Sequence, residues 1–141
     1  MGTYCLNLAF YGIGVTIESS EVRVLDAIEH DFSYFRVPNG PSHFRISCCI
    51  EKPDYESLPV MVASSATPRN ICFKREQETY IDYFGKALNI YNKRENTCRI
   101  ITEEEDLALA IVYLTILSRV SERLDQRGMH RIHALGLEYH K

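Results

Sequence analysis

The sequence predicts an α+β fold: a largely antiparallel meander sheet with two helices, the longer one (about 103–126) forming the core. Three observations predict it. Strand-like segments follow one another through residues 71–101 with connections of two to four residues, too short for the crossover a parallel pair needs. Apolar residues recur at helical spacing over residues 20–34. The apolar run Leu107–Leu117 follows Thr102-Glu103-Glu104-Glu105, an S/T-x-x-E capping box.

In chain order, Tyr4–Glu18 alternates but changes phase. Leu6, Leu8 and Phe10 share one face, whereas Ile13, Val15 and Ile17 fall on odd numbers. The slip across Tyr11-Gly12 predicts a bulge, or a turn into a second strand. Ser19-Ser20-Glu21 offers an N-cap with an acid in the first turn, and Val22, Leu25, Ile28, Phe32 and Phe35 continue as an amphipathic helix. Val37-Pro38-Asn39-Gly40-Pro41 ends it. His43–Glu51 is the clearest strand, with Phe44, Ile46, Cys48 and Ile50 on one side. Residues 52–70 are polar and carry three prolines around Val60-Met61-Val62, which predicts a loop with at most a brief edge strand. Strands are expected at Ile71–Arg75, Thr79–Phe84, Ala87–Asn92 and Thr97–Ile101, giving about five to seven in all. The long helix reads as apolar on most sides, hence nearly engulfed, and Gly128 as its C′ residue. No repeat or composition shift divides the chain, so residues 1–141 read as one domain.

Composition narrows the function classes. The chain of 141 residues is 45% apolar and 25% charged with a net charge of -3, which lacks the basic footprint of a nucleic-acid or anionic-membrane binder. The eleven residues Leu107–Leu117 are too few to span a bilayer, and MGTYCLNLAF lacks the plan of a signal peptide. Five cysteines without a CxxC pair, two of them adjacent at Cys48 and Cys49, read as free thiols of a cytoplasmic protein.

Motifs for chemistry are sparse. Gly12-Ile13-Gly14 lacks the third glycine and following helix of a phosphate loop, so a bulge is the expected reading. Glu103-Glu104-Glu105-Asp106 fits helix capping better than a metal site. On a strand over 130–139, His130 and His140 would share a face about 30 Å apart, too far to share zinc. Asp54 and Asp82 lack a histidine at recognisable spacing, and there is no G-x-S-x-G nucleophile motif.

The order of elements carries one resemblance. The meander ICFKREQETYIDYFGKALNIYNKRENTCRII leads into LALAIVYLTILSRVSERL, then a short R-G-M turn and RIHALGLEYHK. This resembles the region directly upstream of the nucleotide-binding loop in HPr kinase-like P-loop serine kinases. His133-Ala134 matches the family's His-Gly or His-Ala pair, and Ala134 fits the divergent relatives better than the HPr kinases themselves. The resemblance implies that the chain is the N-terminal segment of a longer ATP-dependent serine kinase, with residues 1–100 an accessory or substrate-docking sheet. It implies ATP and Mg2+ as cofactors of the longer protein, bound outside residues 1–141, and a small protein or peptide as substrate. It also places His133 near the active site, where it would influence proton handling. The segment alone is expected to be inactive. The alternative is a stand-alone, non-catalytic protein-interaction module, able to form a homo-oligomer through an open sheet edge.

Overall fold

The computed structural model describes residues 2–130. Eight strands form one sheet: β1 (Tyr4–Phe10), β2 (Ile13–Ser19), β3 (Phe44–Ile50), β4 (Ala63–Ala66), β5 (Ile71–Arg75), β6 (Glu78–Asp82), β7 (Ala87–Asn92) and β8 (Thr97–Thr102). Across the sheet their order is β1-β2-β3-β8-β7-β6-β5-β4. Helices α1 (Val22–Asp31) and α2 (Glu105–Gln126) complete the α+β fold. Strands β4 to β8 are the antiparallel meander that the short connections predict. The centre differs: β3 runs parallel to both β2 and β8. The first of those pairings is possible because α1 carries the chain across between β2 and β3.

The phase slip at Tyr11-Gly12 is a hairpin turn, not a bulge. Phe10 pairs directly with Ile13, and the two turn residues have φ of 51° and 86°, the two positive values of a type I′ turn. Gly14 beyond it is held by close approach. Its N–H donates to His43 Nδ1 at 2.9 Å, its carbonyl accepts the His43 N–H at 2.8 Å, and a Cβ here would collide with the Pro41 carbonyl.

Both helix starts differ from the expected caps. Ser19 is the last residue of β2, and its hydroxyl accepts the Glu21 N–H at 3.0 Å, leaving Glu21 as an N-cap without side-chain bonding. Thr102 likewise ends β8 and accepts the Glu104 N–H at 3.1 Å while donating to the Lys86 carbonyl at 2.8 Å. The capping box therefore does not close, and α2 begins at Glu105. In both places the sheet claims the residue that local sequence would assign to the helix. At the other end the expectation holds. Gly128, at φ 76°, donates to the Asp125 carbonyl at 3.0 Å and Met129 to Leu124 at 2.9 Å, the paired bonds of a Schellman motif. Helix α1 is shorter than expected; after Asp31 the chain tightens into a 3-10 turn at Ser33–Phe35.

Both helices lie on one face of the sheet. Leu6, Leu8, Val15, Ile17, Phe44, Ile46, Cys98 and Ile100 from β1, β2, β3 and β8 pack there against Val24, Leu25 and Ile28 of α1 and Ala108, Ile111, Val112 and Ile116 of α2. Each Val, Leu, Ile or Phe among them contributes roughly 1.5–3 kcal/mol by leaving water. Helix α2 is not engulfed: Tyr113 and Leu114, on its other side, are 47% and 49% exposed. Arg123 pins its C-terminal end by donating to the His43 carbonyl and to Asn96 Oδ1, both at 3.0 Å.

Candidate functional site: a cation-lined cleft beside α2

Cross-strand registers explain where the apolar packing stops. One row across the helix-side face runs Leu6, Ile17, Ile46, Cys98, Tyr91, Thr79, Lys74. The next runs Ser19, Cys48, Ile100, Asn89, Ile81, Cys72. Beyond β8 the first row turns polar, through Tyr91, Thr79 and Lys74, and the second places Asn89 next to Ile100 before continuing with the half-buried Ile81 and Cys72. Apart from Ala87, which belongs to the helix-side core, the most buried apolar side chains of β5 to β7 lie on the opposite face. There Leu88 is 1% exposed and Tyr80 6%, beneath the loop 52–62, which the Tyr55 hydroxyl ties down by donating to Asp82 Oδ1 at 2.8 Å and the Ala87 carbonyl at 3.1 Å. Burial, and then the bond to Asp82, hold the Tyr55 phenol well above its ordinary range.

Between the polar half-face and the side of α2 lies a cleft of about 660 Å³. Tyr83, Tyr91, Thr79 and Ile81 form its sheet wall, and Leu114, Thr115, Ser118, Arg119 and Glu122 its helix wall. Lys74 and Lys93 stand at its rim. Arg119 is held in place: its guanidinium lies 4.4 Å from the Tyr91 ring centre and reaches Glu122 at 2.8 Å. A smaller hollow of about 160 Å³ shares Tyr91, Lys93, Arg119 and Glu122 and adds Arg123, so the two form one trough along α2. Four cations line the trough against one acid, in a chain whose net charge is -3.

At the bottom, Cys98 donates to Asn89 Oδ1 at 2.6 Å, and Asn89 donates to Thr115 Oγ1 at 3.4 Å. Burial pushes the Cys98 thiol up to about 12, so at neutral pH it carries a proton and is no nucleophile. This trio seals the boundary between sheet and helix. What the cleft offers is binding: cations along the rim, aromatic and aliphatic footing between them.

Those residues singled out by sequence that the structure describes fall elsewhere. His133, the tentative catalytic residue, lies outside the described residues, as does His140. His130 is exposed and meets Asp125 at 2.8 Å. Asp54 organises its own turn by accepting the N–H groups of Glu56 and Ser57. Asp82 accepts from Tyr55 and from the Gly85 N–H. The Gly12-Ile13-Gly14 stretch does not fit a nucleotide phosphate, because the Gly14 N–H is already bonded to His43 and Pro41 fills the space against it. Cys48 and Cys49 point to opposite faces, the first buried, the second half-buried. Among the described residues no group of three His, Cys, Asp or Glu side chains is placed to hold a metal ion, and no helix is long and apolar enough to cross a membrane.

The cleft itself was not legible as a motif, because its residues come from six elements spread over positions 44–126. The signal that could have found it is the alternation of β7, in which Asn89 and Tyr91 share a face while Leu88 and Ile90 take the other. Comparison of the chain with protein-family models, curated proteins and solved structures gives no match.

Proposed function

We propose that this chain is the accessory, substrate-docking segment of an ATP-dependent protein serine kinase similar to the HPr kinases, acting in the cytoplasm on a small protein or peptide. The observation that supports docking is the open trough beside α2, which presents Lys74 from β5, Lys93 from the β7–β8 turn, and Arg119 and Arg123 from α2. The order of elements leading to His133-Ala134 supports the kinase family. Phosphoryl transfer depends on positioning and charge neutralisation, so holding a substrate beside the reacting centre contributes directly to rate. ATP and Mg2+ would bind to parts of the longer polypeptide and supply the phosphoryl group and its charge neutralisation; residues 2–130 would position the acceptor.

The reading frame downstream of Lys141 tests this. An apolar strand followed by G-x-x-x-x-G-K-[ST] is the expected result, and a stop codon at that point overturns the kinase reading. The second reading, a stand-alone interaction module, is favoured by the same trough together with the edge strand β4, which among the described residues pairs only with β5. In a longer kinase, His133→Ala should lower turnover with folding intact; unchanged turnover would make His133 structural.

A further inference from the structure

We propose that the trough beside α2 binds an extended acidic polypeptide segment, with carboxylates on Lys74 and Lys93 and an apolar side chain against Leu114 and Tyr83. The inference rests on the docking reading and names the class of its partner. Charge is the first argument. Lys74 and Lys93 are exposed and make no ion pair among the described residues, whereas Arg119 already has Glu122 and the Tyr91 ring. Two uncommitted cations over a half-apolar floor match a chain that alternates acids with apolar residues.

Shape is the second. The α2 wall runs from Leu114 to Gln126, a rise of about 18 Å, which an extended chain covers in about six residues. A small anion would not span it. The chain's own residues 131–141 are poorly matched, since they carry Arg131 and Lys141 against the single acid Glu138. Charge thus favours a separate acidic partner.

The test is fluorescence anisotropy of a labelled peptide of about eight residues alternating Glu with Val or Leu, spanning the trough with a residue to spare at each end. It uses the 141-residue chain without nucleotide. The expected result is saturable binding that weakens about tenfold or more in Lys74→Glu/Lys93→Glu. It should weaken similarly when Gln replaces Glu in the peptide, and persist in Lys52→Glu/Lys86→Glu, whose lysines lie outside the trough. Equal binding by wild type and Lys74→Glu/Lys93→Glu would overturn the proposal, as would no binding, or full displacement by inorganic phosphate. Circular dichroism establishes that the variants are folded; should the double variant unfold, the Gln peptide against wild type decides alone. Because no ATP is present, failure here leaves the downstream-loop test of the kinase reading untouched, and failure there leaves the peptide result standing.

Discussion

The two halves of the sheet are built from similar strands but put their apolar sides in opposite directions. Strands β1, β2, β3 and β8 turn theirs toward α1 and α2, while β5, β6 and β7 bury Tyr80 and Leu88 on the far side under loop 52–62. The difference shows how a continuous sheet can leave a polar face open beside a helix without losing stability. The outer half is held from behind. Its helix-side face therefore packs only through Ala87, Tyr83 and Tyr91 next to the core, and can carry Thr79 and Lys74 farther out.

The largest effects should fall on the buried face of each half, and a small one on the cleft-facing side of the outer half. Ile46, fully buried at the centre of the helix-side core, should lose about 2–5 kcal/mol on change to Ala. Leu88→Ala, in the outer half but 1% exposed on the far face, should cost about 2–4 kcal/mol. Ile81→Ala, half-buried in the cleft wall, should cost only about 1 kcal/mol. Urea midpoints at constant slope measure all three. A large loss at Ile81 with a small one at Leu88 would invert the assignment of faces.

Much of this division was legible locally, and the part that was not has a physical reason. The bounds of Ile71–Arg75 and Ala87–Asn92 follow from turn residues and alternation, which are local properties. Gly128 is likewise recognisable, because only a glycine tolerates its φ of 76° without strain. Neither parallel pairing of β3 could be read the same way, since its partners lie about 30 and 50 residues away in sequence. The helix starts near Ser19 and Thr102 depart from the expected caps for a related reason: pairing with neighbouring strands outweighs the local signal. The cleft is illegible because alternation tells which residues share a face but not whether a helix will cover that face.

At the boundary between the halves, Asn89 is 5% exposed and joins Cys98 to Thr115. Asn89→Ala leaves buried hydrogen-bonding groups without partners and should cost about 1–3 kcal/mol in thermal or chemical unfolding. A neutral result would mean that the boundary is held by shape alone.

The inner half should be the first to weaken in alkali, because its buried thiols start from 9.0 and the raised phenols Tyr55, Tyr80 and Tyr83 of the outer half from 10.0. Burial pushes Cys48 and Cys98 from 9.0 up to about 12. The folded chain keeps these protons after the unfolded chain has released them, so stability falls as pH rises from about 9 toward about 12. The loss should be on the order of 1 kcal/mol for each thiol near pH 10, and Cys48→Ala with Cys98→Val should flatten this part of the profile. In native alkylation at neutral pH, exposed Cys5 should react while these two are protected.

The smallest expected effect is the sharpest test of the open face. Lys74 and Lys93 are exposed, carry like charge beside Arg119, and support no buried contact. Changing either to Gln should move stability by less than about 0.5 kcal/mol, in the stabilising direction if mutual repulsion is felt. A residue kept for packing loses stability when it is changed, whereas one kept for binding loses its partner first. If Lys74→Gln destabilises as much as Ile81→Ala, the outer face belongs to the fold; if stability holds while peptide affinity drops, the open face exists for the partner.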